Sequence, residues 1–592
     1  MRARLSVLAA VALALGLTPL VTPALASPPA GAAAPVVPVQ WKPRPATYGV
    51  VKQQNVEIRM DDGVKLSANV IRPAGQDGKP APGRFPVILT QTAYNKEAPG
   101  LNMEDDYMVQ RGYIQVLVDA RGTGSSEGGW TAFGPREKKD SCELAAWAVK
   151  VPGSDGRLAL DGGSYGGINQ LFTAACHPKG LRAIFPVVPM GDAYRDVTVS
   201  GGETDTAFIP SWMGLVTGAG LLTTSVTSDP GEGVTAFANH VTNVATFQLP
   251  TVASAALGQE VGTTDGEFDG KFYKDRSPLD IINKVGVPTF IVGGEYDLFQ
   301  RGEPMLYNAL RARGVPARLL IGPWTHLDAS SAGTQPLELR WFDHYVRGVK
   351  DPTLDRDIPP VTVYRLGLGK FVTSSSYPIA GTRYTSQRLP SGSKAIPYLP
   401  IAGVCSSSTS QWTAGGVPMG LPACTGDHSL NDKLGATYDF PVRGKPLLFN
   451  GTSMARLFVS TTRSDAFITA RLEDLSPSGQ STPITNGWQM LSLRKVDPKR
   501  SARRNGMMIQ PWHPDTRGSV EKVQPGKVYE LDVEIFPTAA QIPVGDSLRL
   551  AIQTSDEPHL TPSLPSAVNQ LGGTVTVYSS AKYPSALVFG RG

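Results

Sequence analysis

Leu158-Ala159-Leu160-Asp161-Gly162-Gly163-Ser164-Tyr165-Gly166-Gly167 is the stretch whose reading decides the fold. Its three leading residues suit a short strand buried on both faces. The glycines permit a tight turn, and the residues from Ile168 to Cys176 have the apolar spacing of a helix. A G-x-S-x-G pentapeptide is weak evidence alone, because a glycine-rich chain produces it by chance. Between a strand and a helix it predicts a nucleophile turn that presents Ser164 at the carboxyl edge of a parallel sheet. An incidental serine in a glycine-rich turn is the competing reading, and the strand-turn-helix context disfavours it.

The pattern on either side agrees with a sheet. From Val87 to His326 short apolar runs alternate with helical patterns, the signature of parallel strands wrapped by helices. The other predicted strands are Val87 to Leu89, Ile114 to Val118, Ile184 to Val188, Phe290 to Val292 and Leu319 to Ile321, with helices over Glu137 to Val149 and Glu303 to Ala312. Val56 to Met60 and Leu66 to Ile71 flank Asp61-Asp62-Gly63 as a hairpin. The alternation breaks at 192–278, where aromatic residues such as Phe208, Trp212 and Phe247 argue for a packed cap inserted between two strands rather than a disordered loop. Beyond Pro359 the runs become β-branched and are separated by Pro, Gly, Ser and Asp, which predicts an all-β sandwich.

Composition bounds the class. Gly 63 and Pro 50 of 592 residues are about 19%, below the ~25–30% of low-complexity chains. The net charge is +5. Arg2 and Arg4 precede an apolar run to Leu17, and Ala24-Leu25-Ala26 offers a small-x-small cleavage site, so a signal peptide over 1–26 is expected, leaving about +3 in the exported chain. That balance excludes a nucleic-acid-binding stripe as the organising feature. No segment is long and apolar enough to cross a membrane, since Pro19 and Pro23 interrupt the leading run. The expected organisation is therefore a signal peptide at 1–26, a Pro/Ala-rich tether at 27–47, an α/β domain in two parts at 48–191 and 279–360, the cap at 192–278 and a β domain at 361–592.

Four cysteines in an exported chain can pair. Cys405 and Cys424 lie in one Gly/Ser/Pro-rich segment and are the expected disulfide. Cys142 and Cys176 are read as small buried residues, because helices running parallel on one face would offset their sulfurs too far to bridge.

A serine nucleophile requires a base, and in this architecture the partners follow in the order Ser, acid, His. Of seven histidines, only His326 closely follows a strand; His177 lies at the far end of the helix after Ser164, and the other five read as surface or loop residues. Asp297 ends a strand and turn at the same edge, with Glu295 and Asp328 as rivals for the acid. The backbone N–H of Tyr165 is one expected oxyanion donor, and the hydroxyl of Tyr94, in the loop after Val87 to Leu89, is a candidate second. Gly122-Thr123-Gly124 lacks the third glycine of a dinucleotide fingerprint, and no metal-ligand pattern is present, so no cofactor or metal is expected. The basic run from Arg494 to Arg504 reads as a solvated loop between strands.

The set resembles the serine-hydrolase family that includes X-prolyl dipeptidyl peptidases, bacterial cocaine esterase and α-amino-acid ester hydrolases. The resemblance is carried by Tyr94-Asn95-Lys96, Asp119 to Gly128, Ser154 to Gly167, Gly294-Glu295-Tyr296-Asp297, Gly322-Pro323-Trp324-Thr325-His326 and Trp341 to Gly348. In the tail, Asp465 to Leu472 and Pro525 to Tyr529 resemble the family's jelly-roll domain. It implies an α/β-hydrolase fold with a helical cap and a C-terminal jelly roll, with Ser164 as nucleophile, Asp297 as acid, His326 as base, and Tyr94 and the Tyr165 amide as the oxyanion hole. The family's usual Arg-x-Pro-Tyr is altered here, where Thr92-Ala93 precedes Tyr94. The expected activity is hydrolysis of small ester or amide acyl bonds, with an X-prolyl dipeptidyl peptidase as the alternative and an inactive glycan-binding envelope protein as a distant third.

Overall fold

The computed structural model describes residues 41–257, 266–404, 406–415 and 426–592. The expected signal peptide, most of the tether, and Cys405 and Cys424 with their expected bridge lie outside the described residues.

Ten strands form one twisted sheet. They are β1 (Gly49–Arg59), β2 (Lys65–Ala74), β3 (Phe85–Thr92), β4 (Ile114–Asp119), β5 (Ser154–Gly163) and β6 (Leu181–Val187), then, after the short insertion strands β7 (Val199–Ser200) and β8 (Glu203–Asp205), β9 (Thr289–Tyr296), β10 (Ala317–Thr325), β11 (Val361–Arg365) and β12 (Lys370–Ser374). Their order is β1-β2-β4-β3-β5-β6-β9-β10-β11-β12. The eight central members, β2 to β11, are parallel apart from β2, which runs antiparallel to β4. Alternation along the strands gives the sheet two apolar faces. Leu158 and Leu160 of β5 join Val87 and Leu89 of β3 on one face, while Ala159 and Ile88 face the other. Both faces are covered, which is why the strands read as continuous apolar runs.

Val361 to Tyr364, expected to open the β domain, belongs instead to β11, which pairs parallel with β10. A β-branched run suits a buried parallel strand as well as a sandwich strand, so composition alone does not separate the two.

The insertion between β6 and β9 is mainly helical, with helices Phe208–Gly220, Pro230–Asn243 and Leu249–Leu257. It is tied to the C-terminal domain, because β8 pairs with Leu560–Thr561. That domain stacks two antiparallel sheets. One holds Arg383–Arg388, Gly392–Pro397, Leu447–Thr461, Tyr529–Ile542, Thr574–Ser579 and Ala586–Arg591; the other holds Ala436–Pro441, Phe467–Leu475, Ser481–Met490 and Ser547–Gln553. One buried cluster runs from Ile168 and Phe172 beside the Ser164 turn, past the partly buried Trp212 of the insertion, to Trp412, Trp488 and Phe536 of the β domain. Burying side chains of this size stabilises by roughly 1.5–3 kcal/mol each.

A disulfide joins Cys142 to Cys176, with Cα atoms 5.9 Å apart, correcting the expectation that they are unpaired. Cys142 lies past the middle of helix Pro135–Ala148, not near its start, and Cys176 caps helix Tyr165–Ala175. The axial offset assumed from the sequence is therefore absent. A second correction concerns the histidines. His240, His428, His513 and His559, expected at the surface or in loops, are buried with hydrogen-bond partners. Among the described residues no helix is long and apolar enough to cross a membrane.

Candidate active site

β5 ends in the turn that carries Ser164. Its backbone lies at φ 54°, ψ −118°, a conformation that costs an L-residue energy and persists only where the surroundings fix it. Two contacts do so: the Ser164 N–H donates to Val187 O of β6 at 3.0 Å, and the following helix starts at Tyr165. The glycines are required by space and by backbone. Gly162 has φ +127°, and a Cβ on Gly167 would lie 2.5 Å from Val187 O. The helix N-terminus consequently points at the serine, where its partial positive charge favours a developing anion.

Ser164, His326 and Asp297 form one hydrogen-bonded chain. His326 Nε2 is 2.7 Å from Ser164 Oγ, and His326 Nδ1 is 2.7 Å from Asp297 Oδ1. Each comes from the carboxyl end of a different parallel strand: Ser164 follows β5, Asp297 follows β9 and His326 follows β10. Asp297 is fully buried, and the edge of Phe299 packs on the His326 ring at 5.1 Å. With the proton on Nδ1 donated to Asp297, Nε2 is free to accept from the Ser164 hydroxyl. The rival acids are engaged elsewhere. Glu295 accepts from Thr538 Oγ1 at 2.7 Å and Ala539 N at 3.2 Å, and Asp328 caps helix His326–Ser330.

Tyr94 and Tyr165 meet at the serine. The Tyr94 hydroxyl lies 2.9 Å from Ser164 Oγ, and the Tyr165 amide is directed to the same hydroxyl. Burial pushes the Tyr94 phenol above its ordinary pKa, so it stays a neutral donor. Its loop is fastened on both sides. Lys96 N–H donates to Asp119 Oδ1 at 2.7 Å, its ammonium pairs with the same carboxylate with both groups fully buried, and Asn95 Nδ2 donates to Ala219 O and Leu222 O of the insertion. Gly124, next to that carboxylate, has no room for a Cβ, which gives the Gly122-Thr123-Gly124 run a structural purpose.

Beside Tyr94 and Tyr165 lies a cavity of about 60 Å³, lined by Phe133, Met190, Ile209, Trp212, Met213 and Arg276 among others. Phe133 stacks on Tyr165 at 4.4 Å, and Trp212 Nε1 donates to Tyr94 Oη at 3.2 Å, so two of its walls also touch these tyrosines. The Arg276 guanidinium is occupied by the carbonyls of Thr131, Ala132 and Phe272, and among the described residues no carboxylate lines the cavity. Among the described residues the three-carboxylate group able to hold a metal ion is Asp105, Asp161 and Glu338, all buried. Burial raises these acids, Asp105 to about 6 and Asp161, which Asp105 also repels, to about 7.

Two family models match the chain. X-Pro dipeptidyl-peptidase (S15 family) covers residues 62–328, and X-Pro dipeptidyl-peptidase C-terminal non-catalytic domain covers residues 356–588. The chain belongs to the X-prolyl dipeptidyl peptidase and cocaine esterase family of serine hydrolases. It is 25% identical over 559 residues to cocaine esterase from Rhodococcus sp. (strain MB1 Bresler), covering 85% of this chain and 91% of the relative. A putative Xaa-Pro dipeptidyl-peptidase from Bacillus anthracis is 21% identical, covering 86% and 83%. The crystal structure of a CocE/NonD family hydrolase from Staphylococcus aureus superposes with a TM-score of 0.70 at 19% identity, over 92% of this chain and 94% of that one.

Within this serine hydrolase fold, three supporting residues carry no local sequence signal. Trp212 orients the Tyr94 hydroxyl from the insertion. Glu137 accepts from the Tyr165 hydroxyl at 2.8 Å and from Phe133 N at 2.9 Å, holding two cavity walls. Gln411, from the β domain, donates to Asp297 O at 2.7 Å and Gln300 Oε1 at 2.9 Å. Each makes a contact across more than 25 residues of sequence, Glu137 through Tyr165, and the helical spacing around Glu137 shows only that it lies on a helix.

Proposed function

We propose that the protein is an exported hydrolase of ester or amide acyl bonds, with Ser164 as nucleophile, His326 as general base and acid, and Asp297 as the acid that orients the imidazole. Ser164 Oγ attacks the substrate carbonyl while His326 Nε2 takes its proton. The oxyanion accepts hydrogen bonds from the Tyr94 hydroxyl and the Tyr165 amide. His326 then protonates the leaving group, and water hydrolyses the acyl-enzyme by the same route with His326 again as base. Asp297 stabilises the imidazolium that forms in each half-reaction.

The observation that carries the preference for an ester or simple amide is the apolar cavity without a carboxylate. A dipeptidase must hold a substrate α-ammonium, and Asp205, Glu232 and Glu203 of the cap do not line the cavity: Asp205 Oδ1 accepts from the N–H groups of Ala207 and Phe208, Glu232 pairs with Lys65, and Glu203 Oε1 accepts from Gln570. Asp265 lies outside the described residues. The second reading, X-prolyl dipeptidyl peptidase, is favoured by the descriptions of both matching family models. Export is supported by the leading residues Arg2 to Ala26 and by the Cys142–Cys176 disulfide, which suits an oxidising compartment.

The test is one panel: p-nitrophenyl esters of increasing acyl length beside Ala-Pro and Gly-Pro p-nitroanilides. Ester turnover exceeding anilide turnover is expected. Rapid anilide cleavage with negligible ester turnover would overturn the preference.

A further inference from the structure

Asp297 uses one carboxylate oxygen for His326; the other, Oδ2, is buried and meets no ordinary donor. The side chain of Glu303, in the first turn of helix Gly302–Ala312, meets the same Asp297 carboxyl. Glu303 is also fully buried, and neither of its oxygens has a hydrogen-bond donor. The socket for this side chain is built into β9, since a Cβ on Gly293 would lie 1.7 Å from Glu303 Oε2. Two carboxyl groups enclosed together, with no donor between them, are compatible only if one keeps a proton.

We propose that Glu303 is a positioning residue, whose protonated carboxyl donates to Asp297 Oδ2 and leaves Oδ1 as the acceptor for His326 Nδ1–H. This rests on the reading of Asp297 as the triad acid. A carboxylate tethered at one oxygen cannot rotate away from the imidazole, so the bond fixes both the tautomer and the aim of Nε2 at Ser164. Proton ownership follows from the surroundings. The titratable groups facing Glu303 are the carboxyls of Asp297, Glu295 and Asp196, the last already paired with Arg301, and the Tyr377 phenol also lies near. Burial first, and then the charge of Asp297, hold the Glu303 carboxyl well above the usual range. Asp297 has the compensating contact with His326, so the proton belongs on Glu303.

The experiment compares the wild type with Glu303→Gln, Glu303→Met and Asp297→Asn, measuring kcat and KM for a p-nitrophenyl ester as a function of pH. Gln keeps a donor for Asp297 Oδ2 and Met does not, at similar volume. Glu303→Met is expected to lose about 10–100-fold in kcat with KM unchanged, the weight of a hydrogen bond to a charged group. Its acidic limb should move to higher pH, because the undiluted Asp297 charge then falls on the imidazolium. Glu303→Gln should stay within about threefold of wild type, with an unshifted acidic limb. If Glu303→Met does not fold, as judged by circular dichroism, the Glu303→Gln profile decides alone. Equal losses in Gln and Met, no loss in either, or an acidic limb moving to lower pH in either variant overturns the proposal, the last because it means a negative charge was removed. Asp297→Asn is the separate check: a loss of about 10⁴-fold in kcat supports the triad reading, and full activity sinks that reading whatever Glu303 does.

Discussion

Replacing Tyr94 by Phe removes one oxygen and little else, because the ring is buried and packs edge-on against Tyr165 with centroids 6.3 Å apart. The hydroxyl has two side-chain partners in the resting site, Ser164 Oγ at 2.9 Å and Trp212 Nε1 at 3.2 Å, beside the Tyr165 amide. In the proposed mechanism it is one of two oxyanion donors in the transition state, and losing one such donor costs about 10²–10³ in kcat, roughly 2.7–4 kcal/mol. KM should change little, since the bond strengthens only as charge develops on the oxygen. Trp212 loses its acceptor in the same variant, so the protein should also be less stable by about 1 kcal/mol. Trp212→Phe separates the two effects. It keeps the Tyr94 donor but frees its orientation, and should cost only about 2–10-fold in kcat. Steady-state kinetics on a p-nitrophenyl ester, with urea unfolding of each variant, measures both quantities. A folded Tyr94→Phe enzyme within about threefold of wild-type kcat refutes the assignment, and a raised KM with unchanged kcat makes Tyr94 a ground-state contact instead.

Three further outcomes follow from the same geometry. Burial pushes Glu295 up to about 8, so the folded chain keeps a proton that the unfolded chain releases near pH 4.5, and stability falls as pH rises between these values. Glu295→Gln should therefore gain stability relative to wild type between about pH 5 and pH 9, and a constant difference in urea midpoint across that range would refute this. Reducing the Cys142–Cys176 bridge, which spans 34 residues, should lower stability by about 4 kcal/mol on the chain-entropy account, as read from urea midpoints of Cys142→Ala/Cys176→Ala against wild type. Gly167→Ala forces its methyl group against Val187 O and should destabilise by about 1–3 kcal/mol while lowering kcat, because the same strand fixes the Ser164 N–H; a variant with wild-type kcat and melting would show that the turn can give way.

The Ser164 turn is legible in the sequence because each of its requirements is local: an apolar strand, glycines where Gly162 needs positive φ and Gly167 has no room for a Cβ, and a helix starting at once. Asp297 and His326 are legible because strand order places the ends of β9 and β10 at one edge. What surrounds them is not, for two physical reasons. Contacts such as Gln411 to Asp297 or Trp212 to Tyr94 depend on how the β domain and the insertion dock, which no periodicity records. Glu303 sits in an amphipathic helix where an acidic residue in the first turn reads as an ordinary surface position. The Cys142–Cys176 bridge escapes the sequence because it depends on where one helix begins. Likewise β11 reads as part of the β domain because a short β-branched run carries no mark of which sheet it joins.

The central claim is that Ser164 is the nucleophile activated by His326, and covalent labelling tests it most directly. A fluorophosphonate probe should modify the wild-type protein at one site, located by mass spectrometry on the peptide containing Ser164. Ser164→Ala should take up no label, and its ester turnover should fall at least about 10⁴-fold while its circular dichroism is unchanged. Labelling of the Ser164→Ala variant, or ester turnover by it near the wild-type rate, would contradict the account.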